Sequence, residues 1–391
     1  CVLPYCPSTV GDDGEGFCRY SRLFMKIISS CARLAALPLA LAAAFPSLAQ
    51  TPLAPVIVTA TRVAQPITDV VADVTLIDRA TIERSGAAAL ADLLVRAPGI
   101  AMTRNGGPGT TTSLYLRGAE TRFTAVFVDG VRMDSQSTGG AAWNALPLSQ
   151  IDRIEILRGP AAAIYGSDAI GGVIQIFTRK GEPGFTPSVE IGAGNHGTYK
   201  LALGLSGGTE TVDYALGLAR EISTGFNGQP KVNSDLDGYQ SNAVSGRVGF
   251  KVNAVHRLEA TFLRNEIDAQ YDAFTPGFDD HGVSRVQAVG LNWTARWSQA
   301  YSTRVSIGQG DDRYETQPSV YLTDTRVTSY LLHNEYRVGV HTLTADLERR
   351  DDKLNNASTS PVVTNRSQDA VALGYGLRQG AHTLQLNARH D

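Results

Sequence analysis

Cysteine is almost absent from this chain. Four stand in 391 residues, Cys1, Cys6, Cys18 and Cys31, and none follows. Residues 50–391 therefore hold no disulfide scaffold and no thiolate metal site, which suits a protein in an oxidising compartment. A basic excess is missing too: the formal net charge is −3, and no lysine or arginine run points to nucleic acid. No apolar run approaches the roughly 20 residues that a spanning helix needs. Methionine is scarce, at 3, whereas glycine reaches 39, a balance that favours turns and strands. With 43% hydrophobic and 19% charged residues, the chain has the composition of an ordered protein and length enough for two domains.

The N-terminal part divides by pattern. Residues 1–24 show no periodicity and read as sequence upstream of a start at Met25. From there come Lys26, a Leu/Ala/Pro run over 34–44, and Pro46-Ser47-Leu48-Ala49. A charged start, an apolar centre and a small-residue cleavage site predict a secretory signal peptide over 25–49. Residues 50–66 are an extended, Pro-rich segment containing Pro55, Val56, Ile57, Val58, Thr59 and Ala60. Strand formers after a proline read either as an ordinary first strand or as a segment that a partner captures by adding it to a sheet edge.

Residues 67–185 read as a globular α+β unit. Residues 74–77 are strand-like, Asp78 is placed to cap a short turn around 80–85, and Gly86 ends it. Leu90, Leu93 and Leu94 repeat at helical spacing within 87–96, which stops at Pro98-Gly99. Residues 114–117, 125–128 (closing on Asp129-Gly130) and 151–157 are predicted strands. Polar, glycine-bearing loops at 104–111 and 133–144 interrupt them, and long loops on a compact scaffold are commonly functional. The unit closes on residues 157–179, whose Gly166, Gly171 and Gly172 invite comparison with a phosphate loop. No lysine follows them and no helix opens there, so tight turns and close backbone approach explain them better.

Beyond residue 186 the pattern changes to strict alternation. Tyr199, Leu201, Leu203 and Leu205 share one face of residues 198–206, and Val289, Leu291, Trp293, Ala295 and Trp297 share one face of 287–297. Such alternation fits a soluble sheet with one wet face or a membrane barrel. Segments of about ten residues, aromatics on the apolar face, and short turns alternating with acidic loops at 225–238 and 271–282 favour the barrel. About eleven strands are expected. The last reaches Asp391 with no closing segment, and since an open edge is not viable in lipid the sequence reads as a truncated chain. Nothing supports an enzyme: there is no Gly-x-Ser-x-Gly elbow, no acid–base pair of carboxylates, and no metal spacing among the 7 histidines.

Residues 55–60, 94–100 (Leu-Val-Arg-Ala-Pro-Gly-Ile), 116–118 (Leu-Arg-Gly), 128–131 (Val-Asp-Gly-Val) and 157–179 lie in order along the chain. Together they resemble the plug of TonB-dependent outer-membrane receptors, and within that family most resemble cobalamin (vitamin B12) transporters. The resemblance implies an α+β plug inside a transmembrane antiparallel β-barrel, with about half of the barrel strands present over 186–391. It further implies the outer membrane of a Gram-negative bacterium and transport of cobalamin, not catalysis. Pro55, Val56, Ile57, Val58, Thr59 and Ala60 would be the box captured by TonB, with its inner-membrane energising complex. Outer-membrane lipid and a periplasmic B12-binding protein complete the implied partners. Ligand contacts are expected from the plug loops 104–111 and 133–144, through Asn105, Ser135, Ser137 and Asn144, and from the external barrel loops. Cobalamin transporters bind calcium through external-loop aspartates; Asp235 and Asp237 resemble a first pair, Tyr271 and Asp272 the next loop's ligands, and Asp279 or Asp280 a further one. Asn227 stands where that pattern has an aspartate. Clustered carboxylates suit calcium, which takes six to eight oxygens. A siderophore receptor of the same architecture and a passive porin or adhesin barrel are the alternatives.

Overall fold

The computed structural model describes the backbone of Val56–Ile57, then Arg62 and residues 65–67, 71–137, 139–231, 233–273, 277–380 and 382–391. The expected signal peptide, Pro55, Val58, Thr59 and Ala60 lie outside the described residues. Two short strands, β1 (Val56–Ile57) and β2 (Gln65–Pro66), pair antiparallel. There follow β3 (Asp73–Ile77), helices α1 (Arg79–Arg84) and α2 (Leu90–Leu94), β4 (Ile100–Arg104), β5 (Thr112–Leu116), β6 (Thr124–Val128), β7 (Val131–Arg132), β8 (Ile151–Arg158), helix α3 (Ala162–Tyr165) and β9 (Gly172–Thr178). Five of these strands make one sheet in the order β3-β8-β9-β6-β7, with only β6 and β9 parallel.

Local chemistry sets these elements. The Asp78 carboxylate accepts the Thr81 N–H at 2.8 Å, satisfying an orphan donor at the start of α1, and Gly86 follows that helix with φ of 60°. Helix α2 is shorter than the leucine spacing predicts, because the Asp92 side chain takes the Ala89 N–H at 3.1 Å and fixes the start there. Asp129 and Gly130 both have positive φ, 50° and 83°, the turn that matches the twist of a two-residue hairpin. Some elements escape the sequence pattern, β4 and α3 (Ala162–Tyr165) among them. Strand β4 buries a single side chain, Ile100, and exists by pairing with β5, while α3 is one turn of 4 residues, too short for periodicity to register. The core closes around Leu90, Leu94, Leu116, Ile154, Ile174 and Trp143, all buried. At Gly172 a Cβ would stand 2.2 Å from the Leu157 carbonyl oxygen, so no side chain fits where the chain enters β9.

The remaining eleven strands form one antiparallel sheet in chain order. They are β10 (Gly184–Gly194), β11 (Thr198–Gly208), β12 (Val212–Phe226), β13 (Asp237–Lys251), β14 (His256–Tyr271), β15 (Asp280–Arg296), β16 (Tyr301–Gln317), β17 (Tyr321–Val338), β18 (His341–Asn356), β19 (Val363–Gln379) and β20 (His382–His390). Several are longer than the ten residues expected; β17 has 18. A tilted bilayer crossing uses only about 9–11 residues, and the apolar alternation covers just that part. In β15 the exposed large apolar side chains run from Val289 to Leu291, followed by Trp297 just past its end, and none precedes them.

The faces are inverted relative to a soluble sheet. Leu291 and Leu347 are 51% and 53% exposed, whereas Val286 and Ala288, on the opposite face of β15, are 1% and 3% exposed. An apolar face turned outward over successive strands is a lipid-facing wall. Aromatic and histidine pairs collect at its short-turn end: Trp293–Trp297 (centroids 6.2 Å apart), Tyr301–Tyr336 (6.5 Å) and His341–Tyr375 (5.9 Å), as in an interfacial girdle. The inner face receives the α+β unit. Asn265 Nδ2 donates to the Ala145 carbonyl at 2.8 Å, and Ser245 Oγ donates to Gln150 Oε1 at 2.7 Å. Gly310 of β16 lies so close to β7 that a Cβ there would meet the Arg132 carbonyl oxygen at 2.2 Å.

Candidate functional site

Both polar loops of the α+β unit rise toward the end of the wall that carries its longer connections, 227–236 and 272–279. Gly109 packs on Tyr239 and Ala269, at the long-loop ends of β13 and β14. Asn144 Nδ2 donates to the Gly109 carbonyl at 3.1 Å and to Ser284 Oγ at 3.2 Å, so one expected contact residue ties both loops to the wall. Ser137 Oγ accepts from Asn356 Nδ2 at 2.8 Å and lies 3.2 Å from the Tyr321 hydroxyl. Ser135 is buried, bridged through its backbone to Gly140, whereas Asn105 is exposed. Asn105 thus faces the open mouth, while Ser137 and Asn144 spend polar groups on fixing the loops.

The acidic residues gather at the same end with Tyr271, and three of these positions are strand termini: Asp237 opens β13, Tyr271 closes β14 and Asp280 opens β15. Asp237 and Asp272 clamp neighbouring backbone groups, accepting the N–H of Gly228 at 2.5 Å and of Gln229 at 3.0 Å. Asp280 accepts the Ala273 N–H at 3.3 Å. Asp279 turns aside, 3.3 Å from His281 Nε2 and 3.1 Å from Gln270 Nε2. Asp235 is exposed. Among the described residues no three acidic or histidine side chains converge into a ready metal cage. Two buried acceptors nevertheless have no donor, Asn227 Oδ1 and Asp272 Oδ1, and an unsatisfied buried oxygen is costly unless a cation or water meets it.

Toward the short-turn end lies a second cluster that no sequence pattern marks. Arg62 is 8% exposed, with φ of 60°. Its guanidinium meets Asp346 at 3.2 Å and Glu348 at 3.0 Å, on the inner face of β18, and lies 4.8 Å over the Tyr165 ring. Burial opposes that charge, yet Glu348 and Asp346 hold the guanidinium above its ordinary value. Asp346 is shared with His333 Nδ1 at 2.5 Å and Glu348 with Arg389 at 3.0 Å. The only sequence signal was one arginine just beyond residue 60.

The glycine-rich stretch before β9 is fastened in the same way. Asp168 accepts from Arg132 at 3.1 Å and from Arg350 of β18 at 2.9 Å. Burial disfavours its charge, but those two guanidiniums keep its carboxyl below the usual carboxylate range. A depressed folded-state pKa stabilises fully above the unfolded value, roughly 3.9 for aspartate, and that stabilisation fades as pH falls through the folded value. The gap in thermal stability between wild type and Asp168→Asn should hold from pH 7 to about 5 and narrow below about pH 4. Melting curves of detergent-solubilised protein check this, and a gap constant down to pH 3 would contradict it.

The sequence model of the TonB-dependent Receptor Plug Domain family matches residues 66–173, from β2 to the start of β9. The chain carries the plug of a TonB-dependent receptor. The receptor is 41% identical over 365 residues to the vitamin B12 transporter BtuB of Vibrio vulnificus (strain CMCP6), covering 86% of this chain and 57% of the relative. To the vitamin B12 transporter BtuB of Photobacterium profundum it is 29% identical over 329 residues, 81% of this chain and 53% of that one. Its fold is similar to the ferric yersiniabactin uptake receptor FyuA from Yersinia pestis, with a TM-score of 0.68 at 17% identity over 81% of this chain and 56% of that one. The chain spans about half the length of the curated relatives it matches. Its eleven-stranded sheet matches the barrels of such receptors, and the receptor is an outer-membrane protein.

Proposed function

We propose that the protein takes up cobalamin across the outer membrane by TonB-dependent active transport. The likeness to vitamin B12 transporters over more than four-fifths of the chain is the observation that carries this reading. The geometry supports it. Plug loop 104–111 comes near Phe226 and Asp237, which flank external loop 227–236, and loop 133–144 meets Ser284, Tyr321 and Asn356 at the same end of the wall, where a ligand would dock and the loops order around it. The outer membrane has no ATP supply, so accumulation requires work delivered from the inner membrane. Residues 55–60 would be captured by TonB as an added strand. Strand β1 is held by only a two-residue ladder to β2, a partner readily exchanged. A pull there reaches Arg62, and through its ring contact Tyr165 and through its ion pairs β18, so force is led directly to the plug–wall seam.

Asp237, Asp272 and Asn227, with Asp235, Asp279, Asp280 and Tyr271 nearby, fit a hard cation that takes oxygen ligands. Calcium bound there would neutralise carboxylates and order both external loops. Cobalamin should therefore bind the full-length protein more tightly with calcium than with chelator, by about tenfold. Equilibrium binding with each tests the reading: absence of cobalamin binding in both conditions would remove it, and capture of a ferric siderophore instead would establish the alternative.

A further inference from the structure

A chamber of about 280 Å³ lies between the plug and the inner wall of β13 to β18, in the half of the lumen nearest the short turns. At roughly 30 Å³ per water it has room for about nine waters. Seven basic side chains line it against three acidic ones. Five of the bases, Arg62, Arg132, Arg153, Arg247 and Arg257, each have a carboxylate within 4.0 Å. Lys180, in the linker between β9 and β10, and Arg304 of β16 have none among the described residues. The Arg304 guanidinium donates to the Arg62 carbonyl at 3.4 Å, and Arg247 keeps a buried Nε without an acceptor. Lys180 is exposed at the edge of the chamber; desolvation of its ammonium, with Arg247 and Arg153 nearby, holds it below its ordinary value, offset only in part by Glu259 and Asp129, and an anion would relieve that penalty.

The paired arginines are neutralised by carboxylates in and behind the lining, which leaves Lys180 and Arg304, among the described residues, as the cations free to meet an anion, and charge-assisted bonds to an oxyanion are their strongest available contacts. We propose that this chamber is an oxyanion site on the exit route, in which Lys180 and Arg304 receive the phosphate-ester or carboxylate group of a solute passing between plug and wall. The transport role rests on the cobalamin reading, cobalamin carrying one phosphodiester; the anion site itself does not.

Two measurements on the full-length receptor test it. Inorganic phosphate should show receptor-dependent broadening of its phosphorus resonance, lost in Lys180→Met and retained in Lys180→Arg. In cells, Lys180→Met should slow cobalamin uptake by about tenfold, the worth of one charge-assisted hydrogen bond, with surface binding unchanged. Uptake of cobinamide, a corrinoid without the phosphodiester, should not change. Equal broadening by wild type and Lys180→Met, or equal slowing of both corrinoids, overturns the proposal. If cobalamin does not bind at the surface at all, the cobalamin reading fails, and the phosphate measurement still decides the chamber.

Discussion

Deleting residues 56–60 is expected to bring cobalamin uptake down to background, a loss on the order of 100-fold, while surface binding stays within about twofold of wild type. The separation follows from the topology. The plug sheet β3-β8-β9-β6-β7 does not include β1, and β1 pairs over two residues only, so its removal takes little from the fold. The plug loops and acidic loops that form the outer mouth are untouched. What is lost is the segment by which TonB would grip the receptor. Uptake assays beside binding assays on intact cells read the two effects apart, and unchanged uptake would leave a passive barrel as the better description.

Arg62→Ala is the second large effect. Removing one partner of a buried ion pair costs roughly 3–5 kcal/mol. The lower end applies here, since Asp346 keeps His333 and Glu348 keeps Arg389. About 3 kcal/mol shifts a two-state equilibrium by somewhat more than 100-fold, enough to free the segment before Arg62 from the plug without any ligand. A spin label at Ile57 should turn mobile in ligand-free Arg62→Ala, and Arg62→Lys should restore order in part, since lysine keeps the charge but loses the two-carboxylate fork and the ring contact. A label equally immobile in wild type and Arg62→Ala would show that the segment is held by something else.

How far the sequence reached follows from the range of each signal. Local patterns registered well: Asp78 caps its helix, Leu90 and Leu94 are core, Asp129-Gly130 turns a hairpin, and the alternating segments give an eleven-stranded sheet whose apolar side faces outward. Elements defined by a partner did not. Strand β4 owes its existence to β5, and α2 was cut short by one side-chain hydrogen bond at Asp92. The candidate site divides along the same line. The acidic residues could be placed at one end of the barrel from loop lengths alone, but not their allocation: Asp237 and Asp272 to adjacent backbone groups, Asp279 to His281. Arg62 and its partners lie 284 and 286 residues apart, a separation over which no periodicity carries information. Likewise Gly310 marks the approach of β7 to the wall, yet in a strand a lone glycine signals close backbone contact without saying with what.

Labelled cobalamin in cells whose only cobalamin receptor is this protein tests energy-coupled uptake most directly. With TonB present the cells should accumulate cobalamin above its external concentration, and without TonB they should retain only the surface-bound fraction. Accumulation to the same level in both strains, or none in either despite receptor in the outer membrane, would contradict it.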